Sequence, residues 1–195
     1  MIDNIENYLS REALFHICSH YSVNNISEHE IRVGNFSMQL FDTLLPASQL
    51  NINLRSLLYY SSLLHDIGYF VQKKGHHEHS KELILKDDRF NKLPIELRFI
   101  LGIMVRSHGK LLDHHIFFYP KDIQTLVIRL ISILRIADAL DHKHNLGIAV
   151  DAVLKDNELS LKLKGSNYEP IEKRLEKKSK LFKEVFPISI AVEGL

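Results

Sequence analysis

A mainly α fold, a helical bundle carrying a small C-terminal α+β appendage, is what this sequence predicts, and three observations predict it. From residue 3 to about residue 145 the apolar positions recur at helical spacing and turn residues are sparse. Within that stretch, residues 121–140 are apolar on nearly every side, as a central buried helix should be. After Asn145 and Gly147 the spacing changes to alternation, the period of a half-buried strand.

The elements follow in order. A first helix is expected over about 4–20 and a second over about 28–44, where Ser27 followed by Glu30 makes a capping-box start and Pro46 lies just past the end. The third begins after Asn51 or Asn53, carries Leu54, Leu57, Leu58, Leu63 and Leu64, and stops near Gly68. Residues 77–86 form a short helix, and Pro94, in a favoured first-turn position, opens another that runs to about His108 before Gly109. Residues 148–154 and 158–163 alternate around Lys155-Asp156-Asn157 as a hairpin, about 170–186 is a charged amphipathic helix, and 188–193 is a third strand. The division expected is a helical body over 1–146 and a tail over 147–195 packed on it as one structural unit.

The 195 residues suffice for one well-buried core, and 45% apolar with 25% charged residues is ordinary globular usage. A net charge of +1 gives no broad electrostatic footprint for nucleic acid, so anion recognition must be local. The single cysteine, Cys18, excludes an internal disulfide framework and a cysteine-based zinc cage; it reads as a small buried apolar residue and fits a reducing cytoplasm. No stretch approaches the roughly twenty apolar residues that cross a bilayer, and the start lacks a secretory pattern, so no membrane partner and a cytoplasmic location are expected. Self-association into a homo-oligomer is compatible with all of this.

The 12 histidines are the compositional oddity, and several sit in clusters such as His76-His77-Glu78-His79 and His114-His115. An adjacent His65-Asp66 pair ends an apolar helix in Leu64-His65-Asp66-Ile67-Gly68, where both side chains can reach one centre only near the helix end. His29 lies in the first turn of the preceding helix. Asp138 sits inside the most apolar helix, and an unpaired buried carboxylate costs several kcal/mol. Its partner should be a metal, or else a salt bridge to Arg135 or another basic residue. His114, His115, His142 and His144 read as exposed loop histidines.

In order and approximate spacing, His29, His65-Asp66 and Asp138 resemble the H…HD…D signature of the HD superfamily of metal-dependent phosphohydrolases. The runs Leu64 to Phe70, Gly75 to Ser80 and Leu134 to Asp141, with Leu181-Phe182-Lys183-Glu184-Val185-Phe186 near the end, are similar to the C-terminal HD region of the exopolyphosphatase and guanosine pentaphosphate phosphatase family. The resemblance covers nearly the whole chain, without that family's N-terminal actin-like domains and their glycine-rich phosphate loops. It therefore implies the metal-site geometry and an affinity for phosphorylated ligands, and does not carry over polyphosphatase activity.

The resemblance implies that His29, His65, Asp66 and Asp138 hold one ion, with Asp66 bridging to a second held by His79 and His108; His76 and His77 are alternatives for His79. A ligand set of imidazole and carboxylate suits one or two divalent ions, manganese, iron, zinc or magnesium. The implied function is a hydrolase acting on a phosphorylated small molecule, nucleotide or polyphosphate through metal-activated water. His65 and Asp66 would fix the ion, and Arg106 or Lys110 would take phosphate charge. The alternative is a non-catalytic regulatory module that binds metal and a phosphorylated ligand. The Gly-Tyr-Pro signature of the superfamily's cyclic-dinucleotide phosphodiesterases is absent. The tail is expected to be a structural addition, since none of its residues fits the ligand pattern.

Overall fold

A computed structural model describes residues 2–22, 28–141, 148–164 and 169–194. Its eight α-helices are α1 (Arg11–Tyr21), α2 (Glu28–Leu44), α3 (Leu54–Leu64), α4 (His76–Lys86), α5 (Ile95–Arg106), α6 (Lys121–Leu140), α7 (Glu169–Lys178) and α8 (Lys180–Val185). Three strands, β1 (Ala149–Lys155), β2 (Glu158–Lys164) and β3 (Ser189–Gly194), form one small sheet. The fold is a helical bundle with a small α+β appendage, as the periodicities predict.

Two helices depart from their expected bounds. The helix anticipated over 4–20 is split: Asn4 caps a single turn of 3-10 helix, and the Ser10 side chain then accepts from the Ala13 amide at 3.2 Å and starts α1 afresh. Side-chain oxygens at both positions satisfy amides that a continuous helix would have bonded internally. The charged helix expected over 170–186 is interrupted at Ser179, whose hydroxyl turns back to the Glu176 carbonyl, giving α7 and α8. The Ser27 capping box, and the loop of His142, Lys143 and His144, lie outside the described residues.

The body packs around α6. Its Val127, Leu130, Ile131, Ile133, Leu134 and Ile136 are fully buried, so it is covered on nearly all sides by α2, α3, α5, α7 and α8. Helices α2 and α3 approach closely through small residues: Ser62 donates to Ser37 at 2.8 Å, and a Cβ at Gly34 would press the Tyr59 ring at 3.1 Å. The turn after α3 meets the start of α4 at Gly68. There a Cβ would lie 1.9 Å from the His76 carbonyl oxygen, so only glycine admits the approach. Ser80 fastens the same contact, accepting from the Gly68 amide at 2.9 Å and donating to the His65 carbonyl at 2.8 Å.

In the appendage, β1 and β2 pair antiparallel through a two-residue turn in which Asp156 and Asn157 take φ of 51° and 61°. Aspartate and asparagine tolerate the left-handed region that such a tight hairpin requires. Strand β3 then pairs parallel to β2, a geometry that demands a long crossover, supplied here by α7 and α8. Leu159, Leu161 and Leu163 of β2 are fully buried, and β1 is tied to α2 where Gln39 donates to the Val150 carbonyl at 2.9 Å.

Candidate metal centre and cationic cavity

Five helix ends converge: the N-termini of α2 and α4 and the C-termini of α3, α5 and α6. Each brings a histidine or aspartate to one place. His29 lies in the first turn of α2, His65 and Asp66 follow the last residue of α3, His76 and His77 open α4, His108 follows α5, and Asp138 and Asp141 end α6.

The same local device sets three of the imidazoles. Nδ1 of His65 lies 2.7 Å from the Ser62 carbonyl, that of His108 2.6 Å from Val105, and that of His76 3.1 Å from Lys73, each three residues back. A carbonyl can only accept, so each Nδ1 carries a proton, and in the neutral imidazole Nε2 is the lone pair left to bind a metal. At His29 the acceptor is a carboxylate: Nδ1 lies 2.6 Å from Asp141 Oδ2, and Arg32 holds Asp141 in turn at 2.7 Å.

These acceptor atoms face one another around Asp66. Its Oδ2 lies 3.4 Å from His65 Nε2 and 3.8 Å from His29 Nε2, while Asp138 Oδ1 is also 3.8 Å from His29 Nε2. Its Oδ1 lies 3.2 Å from His76 Nε2 and 3.4 Å from His108 Nε2; those two nitrogens are 3.3 Å apart, and His77 Nδ1 is 3.3 Å from His76 Nε2. His65 Nε2 and Asp66 Oδ1 are buried without a hydrogen-bond partner. Lone pairs crowded together in this way repel unless a cation sits among them, and ligands about 2.1 Å from one ion lie roughly 3.0–3.5 Å from each other. His29, His65 and Asp66 could hold one ion, and His76, His77 and His108 another.

Burial alone would lower the pKa of His29 and His76, but their carboxylate neighbours, Asp141 and Asp66 first, raise both, so a proton and a metal ion compete for these imidazoles. Burial disfavours charge on Asp66 and Asp138, yet both carboxyls are held well below the usual range, Asp66 chiefly by His65, His76 and His108 and Asp138 chiefly by Lys178. Burial and the nearby His65 bring His108 down to about 3, the neutral form a ligand needs.

Not every expected residue arrives. His76, not His79, stands against Asp66; His79 is one turn further along α4, with its Nδ1 3.8 Å from Glu82. The cause is Gly68, whose missing side chain lets the first residue of α4 reach the His-Asp turn. Arg106 points elsewhere, 3.5 Å from Glu78 and 3.9 Å from Asp113, whereas Lys110 lines the cavity above the cluster. A further group, Asp113 with His114 and His115, is occupied internally: Asp113 takes an ion pair from Lys81 at 2.5 Å and a hydrogen bond from His115 at 2.7 Å.

The cavity measures about 960 Å³, and the cluster forms part of its wall. Cations line it: Lys110, Arg135 from α6, and Arg174, Lys177, Lys178 and Lys180 from the appendage. Lys178 donates to Asp138 Oδ2 at 2.9 Å and to the His108 carbonyl at 2.7 Å, so the tail contributes directly to the site instead of only supporting the body. Asp141 could have been found in the sequence, being one turn beyond Asp138. Nothing in the local pattern of α7 marks Lys178.

Fold and site together define a helical protein whose clustered histidines and aspartates could bind metal beneath a cationic cavity. The family model described as Ppx/GppA phosphatase, domain III, matches residues 11–180, and the chain belongs to that family. Comparison with curated proteins finds no match. No helix among the described residues is long and apolar enough to cross a membrane.

Proposed function

We propose that this chain is a metal-dependent phosphohydrolase of the HD type, acting on a phosphorylated small molecule or nucleotide. The observation that carries the reading is the convergence of four imidazole Nε2 atoms on the two oxygens of Asp66. Asp66 with His29, His65 and Asp138 would hold one ion, and His76, His77 and His108, on the other side of Asp66, would hold a second. Divalent ions bound there supply a nucleophilic water at neutral pH and offset charge on the phosphoryl oxygens. The chain's own part is to orient the ligand atoms through Ser62, Val105, Lys73 and Asp141, and to receive the anionic substrate among Lys110 and its neighbours.

Membership of a phosphatase family supports the reading, as does the cationic lining of the cavity. The test is elemental analysis of protein purified without chelator, followed by a manganese-dependent assay on nucleotides, polyphosphate and phosphomonoesters. About one or two ions per chain are expected, lost in Asp66→Ala together with turnover. Loaded protein that binds these compounds yet releases no product above the Asp66→Ala background would replace hydrolysis with ligand binding alone.

A further inference from the structure

Above the cluster, the cavity wall holds an arrangement the metal reading does not use. Arg135 is 7% exposed, on α6, around which the body packs. Its Nε donates to the Ser107 carbonyl at 2.8 Å, but its Nη2 is buried without a partner. Burial brings its pKa down to about 10, opposed only by the charge of Glu184, so at neutral pH it remains a cation, largely stripped of water. Arg174 repeats the pattern: it lines the same cavity and its Nε is likewise buried and unpartnered.

Lys178 lies close enough to both guanidinium groups for each to lower its pKa, after burial itself and against the pull of Asp138. Three cations thus crowd one wall. Asp138 Oδ2 serves Lys178 at 2.9 Å and lies 3.9 Å from Arg174 Nη2, while Glu184 is exposed to solvent. Glu184 lines the same cavity and opposes the charge of Arg135, yet a buried donor is left unmet on each of the two arginines, and both donors are explained if an anion in the cavity completes them.

We propose that Arg135 and Arg174, flanked by Lys178, form an oxyanion subsite that takes a phosphoryl group beside the histidine-aspartate cluster. Guanidinium donors suit this ligand because their planar fork matches two phosphoryl oxygens at once. The subsite rests on the reading that the ligand is phosphorylated, and not on turnover.

The experiment uses metal-free protein, so that failure of the hydrolase reading leaves it intact. Inorganic phosphate is titrated calorimetrically into the wild type, Arg135→Met, Arg174→Met and a remote exposed control, Lys86→Met. Wild type and control should each bind one phosphate per chain and gain thermal stability from it. Both arginine variants should bind about tenfold or more weakly, while retaining the wild-type metal content on reloading. Arg174 is half-buried, so its variant carries the test should Arg135→Met not fold. Phosphate binding that is unsaturable, absent, or equally strong in the arginine variants would overturn the subsite.

Discussion

Replacing Gly68 with alanine tests how the fold builds the site. The new Cβ would stand 1.9 Å from the His76 carbonyl oxygen, 2.8 Å from the His76 carbonyl carbon and 2.6 Å from the Ser80 amide. These are backbone atoms, so no rotamer relieves the clash and the first turn of α4 must retreat by about 1 Å or more. Overpacking of this kind costs about 1–3 kcal/mol. Retreat also strains the Gly68 to Ser80 hydrogen bond, adding about 1 kcal/mol. For a chain of this size the melting temperature should fall by roughly 5–12 °C. The consequence for the site is selective, because His76 and His77 sit on α4 and move with it, while His29 and Asp138 stand on other helices and His65 meets α4 only through its carbonyl's bond from Ser80. Calorimetric metal titration should therefore show the position of His76, His77 and His108 weakened at least about tenfold, with the other largely kept. Two unchanged affinities in a folded Gly68→Ala protein, or equal loss of both, would refute the reasoning.

Two other substitutions probe supports of the site. Asp141→Ala removes the carboxylate that fixes the His29 tautomer, so metal affinity should drop about 10–100-fold with little loss of helicity, read by competition with a chromogenic chelator; undiminished affinity would mean that His29 is not a ligand. At Asp113, burial raises the carboxyl pKa but Lys81 and His115 outweigh it and hold the group at about 2, below its ordinary 3.8. A depressed native pKa gives stability that is present above pH 4 and lost as pH falls through 2. Asp113→Asn should thus cost about 2 kcal/mol at pH 7, and the difference from wild type should shrink to about 0.4 kcal/mol at pH 2 and vanish below it in acid-unfolding curves; a constant difference across that range would exclude the linkage.

Much of this molecule is legible in its sequence because the information is local. Helical spacing marks α2 through α6, and the Asp156-Asn157 pair marks the hairpin, since each depends on residues a few positions apart. The order His29, His65-Asp66, His108, Asp138 likewise names residues that the structure gathers around one point. Helix starts are less legible: whether His76, His77 or His79 meets Asp66 depends on where α4 begins, which the clash at Gly68 decides across a turn. Caps at Asn4 and Ser10 break a pattern that periodicity alone runs together. Least legible are Arg174 and Lys178, ordinary members of a charged helix until the chain passes from β2 to β3.

That passage explains why the appendage takes part in the site. Parallel pairing of β2 with β3 requires a crossover, and α7 and α8 make it across the face of α6. The last turns of α6 carry Arg135 and Asp138, three residues apart and hence on one face, so whatever covers that face meets both. Lys178 then bonds Asp138 and the His108 carbonyl together, joining α5, α6 and α7 through one ammonium. This ion pair does not by itself account for Asp138. It occupies Oδ2, leaving Oδ1 turned toward His29 Nε2 at 3.8 Å. The carboxylate is therefore shared, one oxygen with the appendage and one with the histidine cluster, and through it the crossover helix and the candidate metal centre are held in a fixed relation.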